Sequence, residues 1–216
     1  MTRKSHAAFD PECKRCPRLA QFLADVRREK PSYFAKPVPS FGDEGAQLLV
    51  IGLAPGMHGA NRTGRPFTGD HAGILLYETL HKFGFSNRAT GDDPDDGLQL
   101  RNCRIINAVK CLPPQNKPSS EEINTCNQFL RNEIAGRPRL TVLVALGMIA
   151  HVAVLSAFGL KKSQAKFAHG AIHEIDAGNV LIDSYHCSRY NTQTKRLTTE
   201  MFHDVFASAV KLIWAE

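Results

Sequence analysis

Apolar and polar residues follow two rhythms along this chain. Short, largely apolar runs over 48–53, 103–108, 140–146 and 180–185, with a further stretch over 171–175, have the length of strands. Runs of this kind, bounded by glycine, proline or polar turns, are strands buried on both faces. Elsewhere apolar residues recur at helical spacing. Leu19, Phe22, Leu23 and Val26 predict a helix over about 18–29; Ile74, Leu76, Tyr77, Leu80 and Phe83 predict one over about 73–84. Ser119-Ser120-Glu121-Glu122 has the capping-box pattern and opens a helix that runs to about 135, with Ile123, Cys126 and Leu130 on one face. Helices over 148–158, closed by Gly159, and 199–215, burying Phe202, Val205, Phe206, Ala209 and Ile213, complete the set. Strands alternating with helices indicate an α/β domain with a mainly parallel sheet.

The chain is organised around residues 48–77, a strand, a long glycine-rich loop and a helix. Loops of that length inside a compact domain are usually functional. Gly52, Gly56, Gly59, Gly64 and Gly69 allow positive φ and close backbone approach, while Asn61, Arg62, Arg65 and Asp70 bring polar chemistry and Phe67 a flat apolar face. The loop is neither a Walker A motif nor a Gly-x-Gly-x-x-Gly fingerprint. Ligands of open α/β sheets bind beyond the carboxyl ends of the strands. Three polar segments fall there: the loop after Leu53, the segment at Asn107, and Ser184-Tyr-His-Cys-Ser-Arg-Tyr-Asn191. The aspartates of 86–98 read as a solvated loop, and 31–45 as an extended connection.

Composition adds a partner and a compartment. The 216 residues carry a net charge of +6 and a pI near 9.1, which favours a polyanion. Residues 1–40 hold nine Lys/Arg against four Asp/Glu, so this N-terminal arm contributes +5 of the excess. No apolar run is long enough to span a bilayer and the start has no apolar signal core, so a cytoplasmic, membrane-free protein is expected. A single domain over 1–216, with the basic arm at about 1–40, suits this length.

Six cysteines in such a setting argue for metal ligation or buried thiols rather than disulfides. Cys13-Lys-Arg-Cys16 has the spacing of a ligand pair, and Cys111 and Cys126 are the natural second pair. Four thiolates suit either zinc or an iron–sulfur cluster, and the residues alone do not choose between them. Cys103, opening a strand, reads as a small buried hydrophobe.

Taken together, these motifs resemble those of the iron–sulfur uracil-DNA glycosylases, most closely the family 5 (UDGb) type. The resemblance is carried by Gly52-Leu-Ala-Pro-Gly56, His58-Gly-Ala-Asn-Arg-Thr-Gly-Arg-Pro-Phe-Thr-Gly-Asp70, Asn107-Ala-Val-Lys-Cys111, Ser184-Tyr-His-Cys-Ser-Arg-Tyr-Asn-Thr192 and the four cysteines in order. It implies a three-layer α/β/α sandwich around a four-stranded, mainly parallel sheet. It also implies a 4Fe–4S cluster and excision of uracil, and often of other deaminated bases such as hypoxanthine and xanthine, from DNA. Carried residue by residue, Cys13, Cys16, Cys111 and Cys126 match the cluster ligands. Phe67 matches the aromatic that stacks on an extruded base, and Asp70 the acid near the attacking water. Asn107 matches a pocket asparagine, His186 the histidine facing the leaving base, and Asn191 a pocket residue of the last motif. Gly52 and Ala54 belong to the substrate-binding loop. The implied partner is a DNA duplex with its target base flipped out, bound by a monomer. Two positions depart from the pattern: Cys187 replaces the usual proline, and Lys195 stands near a usual glycine.

The side chains agree with that chemistry. Cleaving an N-glycosidic bond leaves a cationic sugar and an anionic base, and a histidine in a dry site can donate to a base carbonyl oxygen. An asparagine offers donor and acceptor to a base edge, and an aromatic face accepts any flat ring. Leu53 stands where other glycosylases place a polar group, which leaves Asp70 as the one carboxylate of the loop. Arg62, Arg65, Arg189, Lys195 and Arg196 are candidate phosphate contacts, although a solvated charge is the commoner fate of each. Two competing readings are a non-catalytic iron–sulfur or zinc nucleic-acid-binding protein and a small-molecule nucleotide-binding α/β protein. The retention of Asp70, Asn107 and His186 favours the enzyme over the first. The cysteines and the basic arm count against the second.

Overall fold

The computed structural model of the protein describes residues 9–135 and 141–214. Leu140 and Ala215, at the ends of two expected elements, and the first eight residues of the basic arm lie outside them. In chain order the strands are β1 (Phe41–Gly42), β2 (Leu48–Gly52), β3 (Cys103–Asn107), β4 (Thr141–Leu146), β5 (Ile172–Asp176) and β6 (Asn179–Ser184). The helices are α1 (Pro17–Glu29), α2 (Ala60–Thr63), α3 (His71–Lys82), α4 (Ser120–Ala135), α5 (Met148–Ala157), α6 (Arg189–Gln193) and α7 (Thr199–Ile213).

One sheet runs in the order β1-β3-β2-β4-β6-β5. Its four central strands are parallel, as expected, but both edges carry an antiparallel strand, so the sheet has six strands rather than four. β5 follows the expected run over 171–175, whereas β1 was not expected. β1 is a two-residue pairing inside the proline-rich connection. β5 alternates exposed and half-buried residues, the pattern of a strand open on one face.

The buried strands look uniformly apolar because each face meets a helical layer. Leu48, Val50, Ile105, Val142, Val144 and Ile182 pack with Leu76, Leu80, Phe202 and Phe206 of α3 and α7. Leu49, Ile51, Ile106, Leu143, Ala145 and Leu181 pack with Leu130, Ala150 and Val154 of α4 and α5. Alternate residues of each strand thus serve opposite layers, giving the three-layer α/β/α sandwich. All five apolar residues expected along α7 are buried. Ile74 departs from the expected stripe: it is 62% exposed, and Leu75 takes the inward position.

Helix ends follow local chemistry. Ser119 Oγ accepts from Glu122 N at 3.2 Å while Glu122 Oε2 accepts from Ser119 N at 2.7 Å, the reciprocal capping box at the start of α4. Gly159, at φ 72°, follows α5 as expected. The arm is no free tail from Pro17 onward. Leu19, Leu23 and Val26 of α1 pack against Val109, Leu112 and Phe129, and Arg18 holds Glu122 through two bonds of 2.7 and 2.8 Å. No helix among the described residues is long and apolar enough to cross a membrane.

Candidate active site

The parallel strands end on one rim, and the loop after β2 is folded back over it. Of its glycines, Gly64 and Gly69 adopt positive φ, 77° and 72°. Gly52, Gly56 and Gly59 are needed for space instead. A Cβ on Gly52 would lie 2.4 Å from Asn107 Oδ1, its register partner on β3, and 2.8 Å from the Phe67 ring. A Cβ on Gly56 would lie 2.5 Å from Asp70 Oδ1, and one on Gly59 only 1.9 Å from Asp70 Cγ. Three bare backbone positions therefore make room for three functional side chains.

A cleft of about 400 Å³ opens at this rim, and Ala54, Phe67, Asp70, Asn107 and His186 all line it. Phe67 is buried beneath it with φ 59°, a backbone state that costs a bulky residue of order 1–3 kcal/mol and persists only where its surroundings enforce it. Its ring lies nearly parallel to that of His186, at 24° with centroids 6.2 Å apart. Asn107 is 4% exposed and lines the cleft, where its amide can offer both a donor and an acceptor.

Asp70 occupies the N-cap position of α3, yet its carboxylate does not cap that helix. It turns into the loop and accepts from Ala60 N at 3.1 Å. Burial raises its pKa above the ordinary carboxylate value, against the lowering effect of the Ala60 N–H and of the Arg62 and His58 charges. His186 keeps some exposure along the cleft wall, but its ring is enclosed and Nδ1 is buried without a partner. That burial lowers its pKa to about 4, so the imidazole is neutral at pH 7 and carries one N–H.

Two expected pocket residues act from behind the wall. Gly52 supplies the space already described. Asn191 is not among the residues lining the cleft; its amide donates to the His186 carbonyl at 2.8 Å, and its backbone N–H to Ser188 Oγ. The two departures from the family pattern have local explanations. Cys187 is fully buried, its thiol donating to Ala72 O at 3.3 Å, so packing anchors the segment that a proline ring would stiffen. Lys195 sits at φ 56°, the left-handed conformation that glycine takes most readily.

The structure also adds residues. His71, Asn116 and Ser188 line the cleft beside Leu53 and the expected Arg189. The αL backbone of Asn116, φ 56°, was the signal available in principle, but sequence spacing does not reveal it. Two readings are corrected. Arg65 is no phosphate contact: it is 7% exposed and bonded to Asp96. The 86–98 segment is consequently not simply solvated, and Asp96 is one of its anchors. Arg62 remains exposed, with Nε donating to His58 O.

On the far side of β3, Cys13, Cys16, Cys111 and Cys126 line one small apolar pocket, all as free thiols. Burial raises the thiols of Cys16, Cys111 and Cys126, so without a cation they are neutral. Lys110 N donates to Cys126 Sγ at 3.3 Å. A second group of ligating side chains, His151, His173 and Asp183, has its donor atoms within 4.8 Å of one another. The His–Asp–His group is itself closed by hydrogen bonds of 2.7 and 3.1 Å near the carboxyl end of β6.

Comparison with known proteins adds independent support. Residues 39–209 match the family model described as the uracil DNA glycosylase superfamily. A type-5 uracil-DNA glycosylase of Thermus thermophilus is 45% identical over 98% of this chain and 99% of its own length. One of Pyrobaculum aerophilum is 43% identical over 91% and 87%, respectively. A type-4 uracil-DNA glycosylase of Archaeoglobus fulgidus is more distant, at 30% over 76% and 69%. A match across most of the chain, with full-length relatives above 40% identity, leads to one conclusion: the chain belongs to the uracil DNA glycosylase superfamily.

Proposed function

We propose that the protein is a monofunctional DNA-repair glycosylase that hydrolyses the N-glycosidic bond of uracil in DNA and also accepts hypoxanthine and xanthine. The observation that carries this reading is the convergence of Phe67, Asp70, Asn107 and His186 on one cleft at the strand ends. A target base cannot be reached inside a duplex, so it is flipped out at a cost of a few kcal/mol, less at a mismatch. Phe67 then stacks on it, contributing about 1–3 kcal/mol with little regard for base identity. Asn107 pairs with its edge. Neutral His186 donates its single N–H to the carbonyl oxygen on which negative charge develops as the bond breaks.

Asp70 faces the other product. An ionised carboxylate at the cleft stabilises the sugar cation and orients the water that captures it. With Leu53 in the neighbouring wall, no second carboxylate shares this work, and departure of the base dominates the barrier. Asn191 acts through the His186 backbone rather than on the base. Arg189 and the basic arm meet the phosphates, and the protein works as a cytoplasmic monomer on duplex DNA.

For the cysteine pocket, four thiols around one small apolar cavity are a donor set that suits a 4Fe–4S cluster. Cys13, Cys16, Cys111 and Cys126 would hold it, and its bonds would join the start of α1 to the segment after β3 and to α4. The test of this function is an abasic-site assay on duplexes carrying uracil, hypoxanthine or xanthine. Release of uracil is the expected result, and no strand sensitivity with any of the three contradicts it.

A further inference from the structure

The Phe67 backbone is held in a state that an aromatic residue rarely adopts, and its neighbours are tied down from outside the cleft. The Arg65 guanidinium has five N–H groups and meets five acceptors. Nε donates to Thr68 Oγ1 at 2.6 Å; Nη1 donates to Asp96 Oδ1 at 3.0 Å and Pro94 O at 3.1 Å; Nη2 donates to Asp96 Oδ2 and Asp93 O, both at 2.7 Å. Its flat face lies over the Phe41 ring. On the other side of Phe67, the Tyr77 hydroxyl donates to Pro66 O at 2.5 Å and lies 3.4 Å from Thr68 Oγ1. Asp96 is itself fixed by the Leu98 N–H at 2.8 Å.

Residues 65, 66 and 68 are thus each anchored, and Phe67 is the unanchored residue among them. Its carbonyl presses on the backbone of Gly73, where a Cβ would lie 1.9 Å away. The bonds run to Asp96 and Tyr77, neither of which lines the cleft. A pairing so complete in a buried position is geometrically specific in a way a surface ion pair is not.

We infer that Arg65, Asp96 and Tyr77 form a clamp that positions the Phe67 ring for base stacking, so that the aspartate-rich loop outside the cleft conditions how the enzyme engages its extruded base. The clamp residues are positioning residues: none touches substrate, and each acts through Phe67. The inference rests on the stacking role of Phe67 proposed above.

Because the action runs through one ring, removing that ring should silence the clamp. The experiment is a double-mutant cycle on the purified, cluster-loaded protein, with kcat/KM on a uracil duplex as the readout. Asp96→Asn keeps the size of the side chain but replaces an acceptor oxygen with a donor; Tyr77→Phe removes one hydroxyl and serves if Asp96→Asn does not fold. Each is made alone and with Phe67→Ala, and thermal melting is followed in parallel. Phe67→Ala is expected to lower kcat/KM about 10–100-fold, the worth of one base–aromatic stack. Asp96→Asn and Tyr77→Phe should each lower it about tenfold in the wild-type background and less than about twofold in the Phe67→Ala background, the non-additivity of residues acting as a unit. A merely structural role moves the melting temperature and multiplies the activity loss equally in both backgrounds, and that result overturns the inference. So does an unchanged kcat/KM for both clamp variants when Phe67→Ala is impaired. Full activity of Phe67→Ala itself would instead refute the stacking role, and the inference with it.

Discussion

The carboxylate of Asp70 occupies the space that any side chain on Gly59 would need: a Cβ there would lie 1.9 Å from Cγ and from Oδ1. Asp70 is the flexible partner, so Gly59→Ala would rotate the carboxylate out of its place rather than unfold the loop. The predicted outcome is a near-normal melting temperature with single-turnover uracil release reduced about 10²–10³-fold, the usual effect of removing one preorganised electrostatic group. Normal turnover in folded Gly59→Ala would show that the position of Asp70 does not matter.

The pKa values of the two cleft groups move in opposite directions, and each gives a pH signature. Asp70 is raised, so it takes up its proton above the ordinary carboxylate range as pH falls. The single-turnover rate should be flat through neutrality and show one acid limb, displaced above the ordinary carboxylate range, that is absent in Asp70→Asn. An identical limb in that variant would assign it elsewhere.

His186 is lowered from 6.5 to about 4, so between those values the unfolded chain binds a proton that the folded chain does not. Its contribution is therefore fully present above pH 6.5 and is lost as pH falls toward 4, up to the order of 3 kcal/mol. Chemical denaturation at pH 7 and pH 5 should show a smaller drop in His186→Gln than in wild type. Equal drops would mean that the ring is not enclosed in solution.

The cysteine pocket predicts a brown protein with about four iron and four sulfide per chain. Cys111→Ser should lose the colour, and Cys103→Ser should keep it, because Cys103 is buried in the opposite core layer, with Leu48 and Ile105. Stoichiometric zinc in a colourless anaerobic preparation would contradict the cluster.

Much of this was legible in the chain itself. The central strands are apolar on both faces, so 48–52 and 103–107 stood out without any tertiary information, and Ser119 and Glu122 marked α4 through a purely local bond pair. β1 was not visible, because its two residues take their partner, β3, from far along the chain, whereas β5 follows the run over 171–175 and pairs with the adjacent β6. In the site, the motif residues marked the rim, but sequence cannot show that Arg65 points away from it. That orientation depends on Asp96, 31 positions further along. The loop glycines were read as sources of positive φ, which holds for Gly64 and Gly69. For Gly52, Gly56 and Gly59 the requirement is the room taken by Asn107, Phe67 and Asp70, a relation between distant residues that composition does not carry.

The central claim is that His186 and Asp70 share the charge of the breaking bond, one on the base and one on the sugar. The most direct measurement is single-turnover cleavage of a uracil duplex by wild type, His186→Ala and Asp70→Asn, alongside binding of each to abasic-site DNA. The account predicts rates lowered by about 10²–10³ in each variant, with abasic-site binding preserved, since neither group is needed to hold the product. Full activity in both variants would contradict it.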